Sequence, residues 1–161
     1  MVEVRVQTTD FDPGVELSAL RVGKPAVGAI ASFIGIVRDV NEVADRQATV
    51  GSLTLEHYPG MTEQALEAIC AEAGRRWALI DTLVIHRYGK LLPTDQIVFV
   101  ATSSAHRGDA FDACAFIMDF LKTQAPFWKK EVTPDGDRWV EARGDDQAAV
   151  ERWQVDREPR R

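Results

Sequence analysis

The sequence predicts an α+β domain built on a largely antiparallel or mixed sheet. Two long segments, 61–77 and 109–125, carry the apolar period of a helix, and five or six shorter runs read as strands. Successive strand runs, such as 82–88 and 96–103, follow one another with no helix between them, so the sheet cannot be wholly parallel. No GxGxxG or P-loop glycine pattern is present, which leaves a nucleotide-binding fold without local support.

Residues Val2–Gln7 alternate apolar and polar side chains, as a half-buried strand does. Asp12-Pro13 places a capping carboxylate before a proline at the first helical position and opens a short helix through about Leu20. Ala26–Val37 is small, β-branched and apolar, a central strand in which Gly28 and Gly35 mark close backbone approach or a bulge. Residues 39–50 are polar, lack periodicity and read as a mobile loop leading into a strand at Ser52–Tyr58. Pro59-Gly60 turns the chain into the first long helix, with Met61, Ala65, Ile69, Ala73 and Trp77 on one face.

The strands Thr82–Tyr88 and Gln96–Ser103 come next, joined by Gly89–Asp95. Asp109 starts the second long helix, whose stripe includes Ala110, Cys114, Ile117, Met118 and Leu121; Pro126 stops it. Arg138–Ala142 is a last short strand. The organisation expected is one domain over 1–145 and a charged tail over 146–161, a marginal helix or a segment ordered by a partner.

Composition narrows the function. The formal net charge of −6 and a pI near 5.1 argue against nucleic acid and anionic membrane surfaces as partners. No apolar run approaches the roughly 20 residues that span a bilayer, and no signal-peptide pattern opens the chain, so a cytoplasmic protein is expected. Cys70 and Cys114 lack CxxC spacing and fall in apolar helical patterns, as buried reduced thiols do. His57, His86 and His106 form no HxH or HxxxH set, so no metal is expected.

The chemistry concentrates in residues 102–131. Fourteen arginines but only five lysines supply the positive charge, and Lys122, Lys129 and Lys130 fall within nine residues. A lysine amine can lose its proton or present a compact charge, which a guanidinium cannot. His106-Arg107 lies between a strand and a helix, where backbone N–H groups and the helix dipole favour an anion; surface charge and a satisfied turn histidine explain the pair equally well. Lys122 in the last helical turn is either a cation complementing the dipole or a catalytic amine, and the residues leave both open. Phe127-Trp128 can wall a pocket or pack at a helix end. Arg38 and Arg143 each follow a strand, and together these residues form a candidate basic pocket for a small anion.

The stretches IGIVRD (34–39), LEHYPGM (55–61), HRYGKL (86–91), SSAHRGDAF (103–111), LKTQAPFWKKE (121–131) and RWVEA (138–142) closely resemble, in order, the large catalytic subunit of molybdopterin synthase. The resemblance covers about residues 2–145. Thr54-Leu55 and Pro93-Thr94-Asp95 depart from the family's commoner Glu-Tyr and Gly-Glu, both outside the basic cluster.

The resemblance implies an α/β hammerhead-type domain with an additional antiparallel sheet. It also implies a sulfur transferase that converts cyclic pyranopterin monophosphate (precursor Z) to molybdopterin in molybdenum cofactor biosynthesis. The sulfur donor would be the C-terminal Gly-Gly thiocarboxylate of a small ubiquitin-like subunit, in a heterotetramer around a homodimer, with no cofactor. Carried over by position, Lys122 and Lys129 are the catalytic lysines, with Lys130 and Glu131 beside Lys129 on the substrate wall. His106, Arg107 and Arg38 bind the anionic end of the pterin, Ile36 and Val37 line the approach, and Arg143 reaches the pocket from across the dimer. The rival expectations are an isopeptide-forming enzyme with Lys122 as nucleophile, and a non-catalytic binding module for a phosphorylated pterin or a ubiquitin-like tail.

Overall fold

The computed structural model describes residues 1–43, 46–140 and 144–154, and it has the α+β architecture. The main sheet contains β1 (Val2–Gln7), β6 (Leu79–Arg87), β8 (Gln96–Ser104) and β2 (Ala29–Ile36), in the order β1-β6-β8-β2. β1 is parallel to β6, and the β6–β8 and β8–β2 pairs are antiparallel. Asp81–His86 of β6 and Val98–Ser104 of β8 are buried without alternation, because helices cover both faces of the sheet.

The helices α2 (Met61–Arg76) and α3 (Arg107–Gln124) pack on one face around Leu66, Ile69, Cys70, Phe116 and Ile117. On the other face α1 (Pro13–Arg21) closes a smaller core of Phe11, Leu20, Leu83, Ile85 and Phe99. The Asp12 carboxylate accepts from the N–H groups of Gly14 and Val15, the cap expected before Pro13. The α3 stripe lies in the core as its period predicts. In α2 the buried stripe is Thr62, Leu66, Ile69, Cys70 and Ala73, and Met61 is exposed. Both cysteines are free, and burial pushes the thiol of Cys70 up to about 12 and that of Cys114 to about 11.

A second, wholly antiparallel sheet runs in the order β10-β9-β5-β7, from β5 (Ser52–His57), β7 (Gly89–Leu91), β9 (Phe127–Thr133) and β10 (Gly136–Val140). Val37, Leu53, Leu55 and Leu91 form its core. The stretch 127–133 carries no strand signal of its own, since two lysines interrupt its apolar residues; pairing with β5 on one side and β10 on the other supplies what local propensity lacks. Residues 39–50 differ from the expected loop: β3 (Val40–Val43) and β4 (Arg46–Thr49) form an antiparallel pair. A two-stranded ribbon satisfies its backbone without the apolar alternation that announces a strand in sequence. α4 (Gly144–Glu151) follows β10, and beyond it Trp153 is buried edge-on against Trp77 and Phe116. No helix among the described residues is long and apolar enough to cross a membrane.

The two glycines singled out in the sequence, Gly28 just before β2 and Gly35 within it, meet their neighbours closely. A Cβ on Gly28 would lie 2.3 Å from the Ala105 carbonyl oxygen, and one on Gly35 would lie 2.7 Å from Val98 Cγ1 beside a register shift. The two sheets meet where the imidazole of His86 stacks on Phe127, centroids 3.7 Å apart and planes 18° from parallel. His86 Nδ1 donates to the Arg87 carbonyl at 2.8 Å. Burial lowers the pKa of His86 to about 4, with smaller contributions in the same direction from the charges of Lys129 and His57.

Two outcomes follow. Unfolded His86 takes up a proton near its ordinary pKa of about 6.5, whereas the folded imidazole resists until about pH 4. Its contribution is therefore complete above about pH 6.5 and is lost as pH falls toward 4, an effect on the order of 3 kcal/mol. Urea unfolding across that range should show a shallower pH slope in His86→Phe than in the unaltered protein. Gly28→Ala must displace the backbone at Ala105 and should cost about 1–3 kcal/mol by the same measurement.

Candidate functional site

β8 and α3 position the first part of the site. β8 ends at Ser104, and after Ala105 the chain enters α3 with His106 as its N-cap, in extended backbone geometry and with no side-chain capping bond. The His106 N–H donates to Ser104 Oγ at 3.2 Å, and the Gly28 N–H donates to the Ser104 carbonyl at 3.0 Å. The imidazole of His106 and the guanidinium of Arg107 are exposed at a helix N-terminus, a geometry suited to an anion.

α3 then runs back over β8 and β2. Lys122 lies 15 positions after Arg107, about 22 Å along the helix axis. Its Nζ is 3.5 Å from Asp146 Oδ1 of α4, and its side chain is 47% exposed. Five residues later Phe127 stacks on His86, and two further on Lys129 stands opposite Leu55 of β5 and Val140 of β10. Val37 packs on Leu53 and Leu55 of that sheet, which brings Arg38 to the same end of the molecule. Val37 is buried, whereas Ile36 and Arg38 are exposed.

Three candidate residues thus share one end of the domain: Arg38, Lys122 and Lys129. His106 and Arg107 occupy the other end. The ladder that separates them pairs Ala29 with Ser104 at one extreme and Ile36 with Gln96 at the other, roughly 23 Å of strand. A single copy of the chain does not bring all five into one pocket. The signal for this was present in the sequence, since a helix as long as 109–125 places its first and last turns far apart.

Strand alternation divides the neighbouring residues as well. Lys129 and Glu131 lie on the face of β9 that carries Leu53 and Leu55 of the paired strand, while Lys130 lies on the opposite face with Trp128 and Trp139. Lys130 Nζ is 2.7 Å from Asp137, whose hydrogen bond and charge raise the lysine pKa. Glu131 is buried and accepts from Arg138 Nε at 2.8 Å. Arg143 lies outside the described residues. No cluster of three or more histidine, cysteine or acidic side chains suited to a metal occurs among the described residues.

Sequence reasoning missed two buried polar residues beside this end. Thr62, in the first turn of α2, donates through Oγ1 to the Pro126 carbonyl at 3.2 Å, and its oxygen accepts from the Tyr58 N–H at 3.2 Å. His86 underlies Phe127. A histidine ending an apolar strand and a threonine after Pro59-Gly60 were the only local signs.

Comparison with known proteins agrees with this architecture. Residues 6–124 match the family model described as MoaE protein. The chain is 59% identical over 155 residues to a molybdopterin synthase catalytic subunit of Ralstonia nicotianae, covering 96% of this chain and 86% of that one. The solved structure of a molybdopterin biosynthesis MoaE protein from Burkholderia ambifaria superposes with a TM-score of 0.80 at 57% identity, covering 97% of this chain and all of the other. A protein–protein complex of subunits 1 and 2 of molybdopterin-converting factor from Helicobacter pylori shares the fold at a TM-score of 0.68 and 18% identity, covering 87% and 91% of the two chains. By the extent of the family match and the identity to its relatives, the chain belongs to the MoaE protein family.

Proposed function

We propose that this chain is the catalytic subunit of a cytoplasmic molybdopterin synthase. It transfers sulfur from the C-terminal thiocarboxylate of a small ubiquitin-like carrier to precursor Z. The observation that carries the reading is the shared placement of Lys122 and Lys129: a helix end and a strand start, joined by a two-residue connection, put two of the chain's five lysines at the end of the domain where Arg38 also lies. The resemblance to catalytic subunits and the solved complex of two converting-factor subunits support a small protein partner.

An anionic tail and an anionic phosphate both need positive charge, and the two ends of the domain divide that work. Lys122, on an exposed helix end, receives the carrier's tail. Lys129, on the core-side face of β9, meets the pterin with Glu131 and with Ile36 and Val37 along the approach. The ammonium groups stabilise the negative charge as the thiocarboxylate sulfur bonds to a pterin carbon and oxygen leaves that carbon, and again at the oxyanion formed as water cleaves the acyl–sulfur bond, which leaves sulfur on the pterin and the carrier as a carboxylate. They can also carry protons between these steps. Arg38, His106 and Arg107 hold the cyclic phosphate and stabilise charge as that ring opens. Since His106 and Arg107 lie a ladder's length from the lysines in one chain, a second copy supplies them to each site, in keeping with a homodimer at the centre of a heterotetramer. Arg143 joins from the same neighbouring copy, and Lys130 serves the outer rim.

Single-turnover transfer from a thiocarboxylated carrier to precursor Z tests the reading. Lys122→Ala and Lys129→Ala should each slow product formation by on the order of 100-fold or more. Near-normal product from both variants would overturn the assignment. Lys122→Arg keeps a cation that stays protonated throughout; retained activity there means that fixed charge suffices at this position.

A further inference from the structure

The relative placement of Lys122 and Lys129 depends on a very short piece of chain. α3 ends at Gln124 and β9 begins at Phe127, so Ala125 and Pro126 alone connect them. This turn has weak internal support. Pro126 has no N–H, the Phe127 N–H donates only two residues back to the Ala125 carbonyl, and the Ala125 N–H reaches Leu121 at a long 3.3 Å. What holds the turn comes from elsewhere in the fold.

Two buried side chains do so from different elements. Thr62 of α2 has no solvent exposure, and its hydroxyl donates to the Pro126 carbonyl while accepting from Tyr58. The same oxygen therefore ties the turn to the start of α2. His86 of β6 stacks on Phe127, the first residue past the turn, and its Nδ1–H bond to the Arg87 carbonyl fixes the rotation of the ring. A hydroxyl can be satisfied in many places, and any ring can stack. Here the two groups act on consecutive residues, the last of the turn and the first of β9, in the one connection that separates the two lysines.

We propose that Thr62 and His86 are positioning residues for sulfur transfer, clamping Pro126 and Phe127 so that Lys122 and Lys129 keep a fixed separation and direction. The proposal rests on the reading of both lysines as catalytic. Neither side chain touches substrate in this account; each acts through the turn. Displacements of about an ångström in a reacting group can slow an enzyme by on the order of 100-fold, so a clamp of this kind has a kinetic consequence well beyond its stability.

The test uses the assembled enzyme with thiocarboxylated carrier and precursor Z, on variants whose folding is checked by circular dichroism and thermal unfolding. Thr62→Val keeps the shape and removes the hydroxyl, and Thr62→Ser restores it. His86→Ala removes the stacked ring, and His86→Phe keeps it. The expected result is a kcat lower by roughly 10- to 100-fold for Thr62→Val and His86→Ala, with KM for precursor Z within about two-fold and with Thr62→Ser and His86→Phe near the unaltered rate. In a Lys129→Ala background, Thr62→Val should add no further loss, because its effect passes through that lysine.

Folded Thr62→Val and His86→Ala enzymes with unaltered kcat would overturn the proposal, as would a full additional loss from Thr62→Val in the Lys129→Ala background. If Thr62→Val does not fold, the His86→Ala and His86→Phe pair decides by the same criterion. The two levels fail separately. Lysine variants that are inactive beside fully active Thr62 and His86 variants sink the clamp alone, whereas lysine variants with normal activity sink the sulfur-transfer reading and the clamp with it.

Discussion

Val98–Ser104 of β8 are buried in succession, paired with β6 on one side and β2 on the other. This ladder is the constraint on which the rest of the structure depends. α2 and α3 cover one of its faces and α1 the other, so its residues need no polar face and its length sets the length of the domain. α3 leaves the end of β8 and runs back along it. Arg107 and Lys122 consequently mark opposite ends of one helix, about 22 Å apart along its axis.

The second sheet adds the other half of the site at the far end of that ladder. Its docking is specified by the His86–Phe127 stack and by the Val37, Leu53, Leu55 and Leu91 core. A histidine at such a joint is held neutral over the working pH range by burial, so no additional cation competes with Lys129. Alternation along β9 then sends Lys129 toward the core-side face and Lys130 to the outer face, where Asp137 pairs with it. Two adjacent lysines that look equivalent as a dipeptide have different electrostatic surroundings for a purely geometric reason.

The segment after β10 is also tied to the site. Trp153 packs edge-on against Trp77 and Phe116, and its indole N–H donates to Asp119 Oδ2 at 2.6 Å, one turn before Lys122. Arg152 pairs with the same carboxylate, and Asp146 stands 3.5 Å from Lys122. The last turn of α3 is therefore braced from outside the main sheet as well as by its own hydrogen bonds. This bracing is invisible in the charged composition of 145–161, which reads as a tail because, among its described residues, only Val150 and Trp153 are buried.

Sequence alone determined the element types that rest on local periodicity: the α3 stripe, the Asp12-Pro13 helix start, the strands flanking residue 90, and the close approaches at Gly28 and Gly35. It also determined the unusual concentration of lysines and the motifs that tie the chain to its family. Each is decided by neighbours within a turn or two of backbone, which is why it could be read without coordinates. Tertiary structure alone decided that 127–133 is a strand, that Lys129 and Lys130 face apart, that Arg38 lies with the lysines, and that Thr62 and His86 meet the turn at Pro126. Those outcomes depend on pairing partners far away in the chain, β5 for β9 and α2 for Pro126, and neither side-chain period nor residue type at a position carries that information.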